Sequence, residues 1–368
     1  MEESAMQDQH YHEAAETVIR AGNIPFPVSE TLIDILKTIM TPEQARFVTL
    51  FHKPLNRDEI KAKSGLEDAA LDAMLEGLMD DGVVSGISSR RSGMMVYRPM
   101  PPIPGIFETT MMKGEAGEKQ KTLARLFERL FEELTGMVQE NYDVIAPAFA
   151  AIPPMTRIIP VETQIDRAFD TVLPTEDVKK LVERFDTIGV AVCYCRHQKD
   201  LLGRSCQVTD ERKNCLFFGN TAKFFISRKF AEPISREQAI RILEKAEKDG
   251  LVHKAFHEKY DTGRDEMAIC NCCKCCCETF QLFYRGGGPA LTYTSYIATV
   301  DEDACIGCEA CADICPMEAV NMDDGIARVD ESRCIGCGVC AGQCDVEAIT
   351  LKRTGQRQVC VMPEKRVA

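Results

Sequence analysis

The chain has 368 residues, a formal net charge of −13, and 45% hydrophobic against 27% charged residues. That balance excludes a disordered chain, and the length gives two or three domains room for a core each. The 19 cysteines all lie at or after Cys193 and fall in clusters, which excludes a disulfide scaffold with thiols spread along a short secreted chain.

The opening MEESAMQDQH is polar and acidic, unlike a signal peptide. The longest apolar run, residues 144–155, is too short to span a bilayer and contains Pro147, Pro153 and Pro154. A soluble protein of a reducing, anaerobic cytoplasm is expected. Thr41-Pro42-Glu43-Gln44 is a capping box with proline at the first helical position, predicting a helix to about Phe51. Asn56 caps a short helix over 58–63 that ends at Gly65. Leu71, Met74, Leu75 and Leu78 mark the apolar face of a longer helix ending near Gly82. Residues 83–87 and 94–97, joined through 88–93, read as a hairpin. Helices closed by a hairpin over residues 29–99 make a winged-helix pattern, so residues 1–100 are expected to form a winged-helix-like domain. The segment in the recognition-helix position, 67–81, has six acidic residues and no Lys or Arg. Phosphates would repel it even with Arg90 and Arg91 in the wing, so the domain is expected to dock a protein rather than nucleic acid.

Pro101, Pro102, Pro104 and Gly105 break the pattern and open a linker with an amphipathic helix, residues 101–154. Leu123, Leu126, Phe127, Leu130, Phe131, Leu134, Met137 and Val138 fall at steps of three and four, one continuous core-facing stripe. Residues 155–285 mix helices with short strands. Thr175 opens a helix over 176–185, a strand over 188–192 delivers Cys193 and Cys195, and the capping box Ser235-Arg236-Glu237-Gln238 starts a helix to Asp249. Arg285-Gly286-Gly287-Gly288-Pro289 reads as a flexible join and not a phosphate loop, because no Lys-Ser/Thr follows. It leads into residues 286–352. Residues 353–368 form a basic tail whose Cys360 reads as a free thiol.

One repeat is unambiguous. Cys305-Ile-Gly-Cys308-Glu-Ala-Cys311-Ala-Asp-Ile-Cys315 recurs 29 residues later as Cys334-Ile-Gly-Cys337-Gly-Val-Cys340-Ala-Gly-Gln-Cys344, the mark of two half-domains. In C-x2-C-x2-C one loop wraps three corners of a cubane, and the fourth cysteine, three residues on, reaches the other cluster. By that rule Cys305, Cys308, Cys311 and Cys344 hold one [4Fe–4S] cluster, and Cys334, Cys337, Cys340 and Cys315 the second. Gly307 and Gly336 turn the loops tightly, and Ile306 and Ile335 are expected to shield the cores. Zinc is the bland alternative, but zinc modules do not need the third cysteine of each run. Residues from about 298 to 352 resemble the bacterial two-cluster ferredoxins. The departure is Asp345, where the first half has Pro316.

The middle cysteines are candidate metal ligands. Cys193, Cys195, Cys206 and Cys215 could make one four-ligand set, and Cys270, Cys272, Cys273, Cys275, Cys276 and Cys277 offer six more thiols. In an extended segment Cys193 and Cys195 share a face, as do Cys270 and Cys272, whereas adjacent Cys272 and Cys273 point apart. The dense run therefore serves more than one site or has spare thiols. One or two further iron–sulfur clusters are expected, with a zinc site or redox-active or free thiols as competing readings. His197 is a candidate for tuning or ligating a cluster, while His253 and His257 read as a solvent-facing pair one helical turn apart. From Ile188 onward, Cys193-Tyr-Cys195-Arg196 and Cys270-Asn-Cys272-Cys273 ahead of a ferredoxin domain also resemble multi-cluster iron–sulfur proteins of anaerobes. That resemblance implies electron transfer.

The expected fold is multidomain α+β: winged helix, cysteine-rich α/β middle region and C-terminal ferredoxin-like domain. The expected function is single-electron relay, by a carrier or oxidoreductase subunit more than a self-standing enzyme. Alternatives are a reductase acting on a small substrate at a middle cluster and a redox-sensing regulator. Residues 301–351 carry twelve acidic side chains against Arg328 and Arg333, so a redox partner with a basic docking surface is expected.

Overall fold

A computed structural model describes residues 2–22, 24, 26–89, 92–151, 156–165, 177–257, 266–288, 291–355, 357 and 360–366. Arg90, Arg91, Pro153, Pro154, Thr175, Glu176, Pro289 and the Cys360 side chain, all used in the sequence reading, lie outside what is described. The chain divides into two compact units, each made of several stretches. One comprises Met1–Leu134, Val192–Arg204 and Lys223–Glu232; the other comprises Thr135–Ala191, Ser205–Ala222 and Pro233–Ala368. The cysteine-rich middle region thus contributes to both units.

In the first unit, helices Glu2–Arg20, Glu30–Ile39, Pro42–Val48, Arg57–Ser64 and Asp68–Asp80 accompany strands β1 (Leu55–Asn56), β2 (Val84–Ser88) and β3 (Met95–Pro99). The strands form one antiparallel sheet in the order β1-β3-β2. Local signals set several boundaries. Reciprocal capping boxes form at Thr41–Gln44 and at Asn56–Glu59. Gly65 ends the second of these helices in the left-handed region at φ 67°. The first helix stops at Val48, short of the predicted Phe51. Helix Asp68–Asp80 buries Leu71, Leu75, Leu78 and Met79. Its acidic face is largely neutralised from within the unit. Arg57 reaches Asp72 at 2.8 Å and Asp68 at 2.9 Å, Lys61 reaches Asp68 at 2.8 Å, and Arg228 pairs with Glu76 and Asp80.

Helix Glu118–Glu140 buries Leu123, Phe127, Leu130, Phe131, Leu134 and Val138 along the expected stripe. Phe107 packs its ring 5.0 Å from both Phe127 and Phe131 and 5.6 Å from Tyr194. Tyr194 opens helix Tyr194–Leu201, whose Gln198 amide donates to the Ala124 carbonyl at 3.1 Å. On the next residue, buried Lys199 pairs with Glu128 at 2.7 Å, and Arg204 reaches the same carboxylate at 3.0 Å.

The second unit is built on a six-stranded sheet: β4 (Thr156–Ile159), β5 (Ile188–Val192), β6 (Lys213–Phe218), β7 (Glu232–Ile234), β8 (Val252–His257) and β9 (Glu266–Cys272), in the order β4-β8-β9-β6-β5-β7. On one face Ile188, Val190, Leu216, Phe218, Ala255 and Ile269 pack against Leu181 and Val182 of helix Val178–Glu183 and against Ala239 and Leu243 of helix Arg236–Lys248. The other face carries alternate residues of the same strands, including several cysteines.

Two local expectations are corrected here. β5 stops at Val192, so Cys193 is the N-cap of helix Tyr194–Leu201 and Cys195 lies in its first turn, not along a strand. His253 and His257 lie on a strand, where residues four apart share a face, and both are buried, 1% and 4% exposed. Their spacing fits a helix face and a strand face equally, and the sheet decides.

The C-terminal part adds β10 (Leu291–Thr292), β11 (Tyr296–Val300), β12 (Val320–Asp323), β13 (Ile326–Val329), β14 (Ile349–Arg353) and β15 (Cys360–Val361), paired as β10/β15, β11/β14 and β12/β13. Each half-domain follows its second cysteine with a short helix, Ala310–Ile314 and Val339–Gly342. Among the described residues no helix is long and apolar enough to cross a membrane.

The Glu128–Lys199 pair yields a test. Burial pushes the Glu128 carboxyl up, but the Lys199 and Arg204 cations outweigh it and hold it below the usual carboxylate range. The pair's contribution is therefore complete above the unfolded carboxylate value of about 4 and is lost as pH falls through the lower folded value. Glu128→Gln leaves Lys199 buried beside a neutral amide. We expect a local cost of about 3 kcal/mol, read as roughly a hundredfold loss of amide-exchange protection over Tyr194–Leu201 at neutral pH. Unchanged protection would show that the pair does not hold the helix.

Candidate metal centres

The two cysteine loops of the C-terminal part are shaped by left-handed residues. Gly307 and Gly336 both have φ 69°. A Cβ on Gly307 would lie 2.3 Å from the Gly325 carbonyl oxygen, and one on Gly336 would lie 2.1 Å from that of Tyr296. Only glycine fits either position. Just before each short helix the chain is left-handed again, at Gly338 (φ 83°) and, without glycine, at Glu309 (φ 66°).

These turns converge the thiols on two cavities. One is lined by Cys305, Cys308, Cys311 and Cys344, with Val346 and Ile349 on its wall. The other is lined by Cys315, Cys334, Cys337 and Cys340, with Met317, Val320 and Ile335. Each takes three thiols from one run and the fourth from the other. The two differ in exposure. Cys308 is exposed and Cys305 and Cys344 are half-buried, whereas all four thiols of the second cavity are buried. Ile335 is 1% exposed and covers its cavity, but Ile306 is 68% exposed and does not shield the first as expected. Burial pushes the Cys334, Cys337 and Cys340 thiols up, and backbone N–H groups pull Cys334 and Cys337 part of the way back. Asp345 is exposed where Pro316 is buried, so the departure from the repeat puts no charge in the interior.

The middle cysteines separate into different groups. Cys206 lies 3.7 Å from Cys273 and 3.6 Å from Cys275 (sulfur to sulfur); Cys275 lies 3.8 Å from Cys273 and 3.3 Å from Cys276. Cys206 is thus drawn to the dense run and not to the Cys193–Cys195–Cys215 grouping that proximity in sequence offers. Hydrogen bonds from Cys273, Cys275 and Cys276 hold the Cys206 thiol far below its ordinary value. The Cys206 contact pushes Cys275 up, Cys273 and Cys276 pull it down, and it settles at about 6. Cys276 is pushed far up by Cys206, Cys273 and Cys275. In so compact a set the first proton leaves easily and the last is held.

Cys272 turns the other way. Its hydrogen bonds with Cys270 and Cys277, together with complete burial, push its thiol far up. Cys270 and Cys272 share one face of β9. Leu216 of β6 faces Ile269, so antiparallel register sets Cys215 beside Cys270 on that face, and Lys254 of β8 stands directly opposite Cys270 on the other side. Lys254 is fully buried and donates to Thr279 Oγ1 at 2.6 Å, and that oxygen lies 3.1 Å from Cys277 Sγ. The same ammonium lies 5.7 Å from the Phe280 ring. Behind the thiols, Asn271 Oδ1 accepts from His253 Nδ1 at 2.6 Å and its amide nitrogen donates to the Asn214 carbonyl at 2.7 Å, while His253 Nε2 meets Glu247 at 3.2 Å. That buried network locks β6, β8 and β9 together at the level of Cys215, Cys270 and Cys272. Neither His253 nor Lys254 was picked out as part of a site from sequence; a Lys-Ala pair inside an apolar strand was the only signal.

In the first unit, Cys193 and Cys195 are both buried. His197 Nε2 lies 2.7 Å from the Glu115 carbonyl and so donates to backbone, leaving only Nδ1 for any other partner.

Residues 297–345 match the family model of the 4Fe-4S dicluster domain. No curated protein and no solved structure matches the chain. With the thiol-lined cavities falling inside the matched segment, the chain carries a 4Fe-4S dicluster domain near its C-terminus and binds iron–sulfur clusters.

Proposed function

We propose that the protein relays single electrons through two [4Fe–4S] clusters of its C-terminal domain and a third on the open face of the six-stranded sheet. The observation that carries this reading is the pair of cavities, each lined by three cysteines of one run and one of the other. Cys305, Cys308, Cys311 and Cys344 would hold the first cluster, and Cys315, Cys334, Cys337 and Cys340 the second. Cys215, Cys270, Cys272 and Cys277 would hold the third, with Lys254 offsetting its negative charge. When bound, such a cluster stores and yields one electron at a potential within roughly −700 to +450 mV, set by burial and hydrogen bonding.

The residues supply an order. Exposed Cys308 and Ile306 make the first cavity the outward-facing one, while Ile335 and Met317 exclude water from the second. Between the second cavity and the sheet-face thiols runs helix Glu278–Arg285, capped by Cys277. Its Phe280 and Tyr284 rings stack at 6.3 Å, and the Tyr284 hydroxyl donates to the carbonyl of Pro316, the residue after Cys315. This short aromatic segment links Cys277, its N-cap, to the backbone just after Cys315.

The surplus of ten negative charges over residues 301–351 favours docking of a basic redox partner and disfavours nucleic acid. The helices and three-stranded sheet of the first unit suit a winged helix adapted to a protein partner, since Arg57, Lys61 and Arg228 are committed to its own acidic helix. Cavities lined by thiols and aliphatic side chains favour a carrier or oxidoreductase subunit, and we place it in the cytoplasm.

Cys344→Ala tests the ligand assignment. In anaerobically purified, dithionite-reduced protein, low-temperature EPR should lose the cluster served by Cys305–Cys311 and keep the one served by Cys334–Cys340. The reverse loss would mean that each run ligates its own cluster. For the docking claim, the rate of electron transfer to a small basic redox protein should fall at least tenfold between low and moderate salt. A salt-independent rate would remove the acidic lobe from the interface.

A further inference from the structure

We infer that Cys206, Cys273, Cys275 and Cys276 form a separate site for one tetrahedral, thiolate-bound divalent ion of the zinc or ferrous class, and not another cubane cluster. The sulfurs decide this by their spacing. The four measured separations run from 3.3 to 3.8 Å, and all four atoms lie within 4.8 Å of one another. With a metal–sulfur bond of about 2.3 Å, the edge of an MS4 tetrahedron is about 3.8 Å. Thiolates standing off the corners of a cubane are spread to roughly 6 Å. Cys272 meets Cys270 and Cys277, but among the described residues the Cys206 group is the one set of three or more metal-ligating side chains whose ligand atoms all lie within 4.8 Å of one another. The eight cysteines of the C-terminal domain line two cavities instead.

The local chain is built to hold such an ion. Cys273, Cys275 and Cys276 lie in one turn, closed by the Cys277 N–H donating to the Cys273 carbonyl at 3.2 Å. Cys206 comes from a loop braced by the Thr209 hydroxyl on Asp249 at 2.6 Å and by Arg212 on the Thr209 carbonyl at 3.0 Å. Buried Ala246 and Leu251 and half-buried Val208 pack around the sulfurs, which keeps the site closed on its protein side. Four protein thiolates complete a tetrahedron and leave no open position, so the ion holds structure and binds no substrate. As each metal–sulfur bond forms, one thiol proton leaves to solvent and no electron moves.

The consequence rests on the cluster reading of the sheet-face thiols. Cys272 and Cys277 flank the Cys273–Cys276 turn on either side, so an ion pinning that turn to the Cys206 loop fixes where both of those thiols point. The Cys206 site is in this sense a positioning centre for its neighbour.

The test compares anaerobically purified parent, Cys206→Ser and Cys275→Ser for zinc, iron and acid-labile sulfide per chain, alongside low-temperature EPR of the dithionite-reduced proteins. The expected result is loss of one zinc, or of one iron with no sulfide, in either variant, while the signals of the C-terminal clusters persist. Recovered zinc identifies a closed-shell structural ion, and sulfide-free iron a site that can also change valence; both support the inference. Cobalt reconstitution of the parent should give the strong visible bands of tetrahedral CoS4, absent from Cys206→Ser. Joint loss of about four irons and four sulfides would overturn the inference in favour of a cluster. So would an unchanged metal count in both variants. Absence of C-terminal cluster signals in the parent itself would instead defeat the electron-relay reading, a separate outcome.

Discussion

Sulfur atoms that lose their protons a few ångströms apart repel one another, and burial sharpens that repulsion. The architecture follows from the need to hold thiols in that condition. In the C-terminal domain two glycines at φ 69° let loop backbone approach within contact of Gly325 and Tyr296, so that three thiols of a run can turn toward one point. Backbone N–H groups then face the sulfurs of Cys334 and Cys337 and offset part of the cost of burying them. On the six-stranded sheet the buried Lys254 stands opposite Cys270 and holds Thr279, whose hydroxyl meets Cys277.

The fold could be read from sequence where structure is local. Capping boxes at Thr41, Asn56 and Ser235 fix helix starts because both partners lie within four residues. The 29-residue repeat carries its own register, and the shared face of Cys270 and Cys272 follows from strand geometry, although β9 ends at Cys272 and Cys273 already lies beyond it. Long-range choices were not legible. Cys206 joins the dense run across 67 residues of sequence. The acidic helix Asp68–Asp80 looked like a bare anionic surface until Arg228, 148 residues beyond Asp80, was found beside it. His253 and His257 were misplaced because a four-residue interval satisfies a helix face and a strand face alike. Ile306 and Ile335 occupy equivalent repeat positions, yet one is exposed and the other buried, because the two halves sit in different surroundings.

In the proposed relay, that asymmetry would supply a direction. Exposed Cys308 suits exchange with an outside partner, the enclosed second cavity suits storage at a potential protected from water, and the aromatic helix leads inward to the sheet-face thiols. The tight Cys206 group stands outside this chain of clusters. On the inferred assignment it would fix a turn on which two of the sheet-face thiols depend, and one dense run of cysteines would serve two chemistries.

The most direct measurement is Mössbauer spectroscopy of anaerobically purified protein grown on isotopically enriched iron, combined with acid-labile sulfide per chain. The account predicts that nearly all the iron gives the delocalised, diamagnetic signature of oxidised [4Fe–4S] cubanes, with sulfide matching iron in those centres at about twelve each. A spectrum composed only of isolated tetrahedral iron–thiolate sites, with sulfide absent, would contradict it.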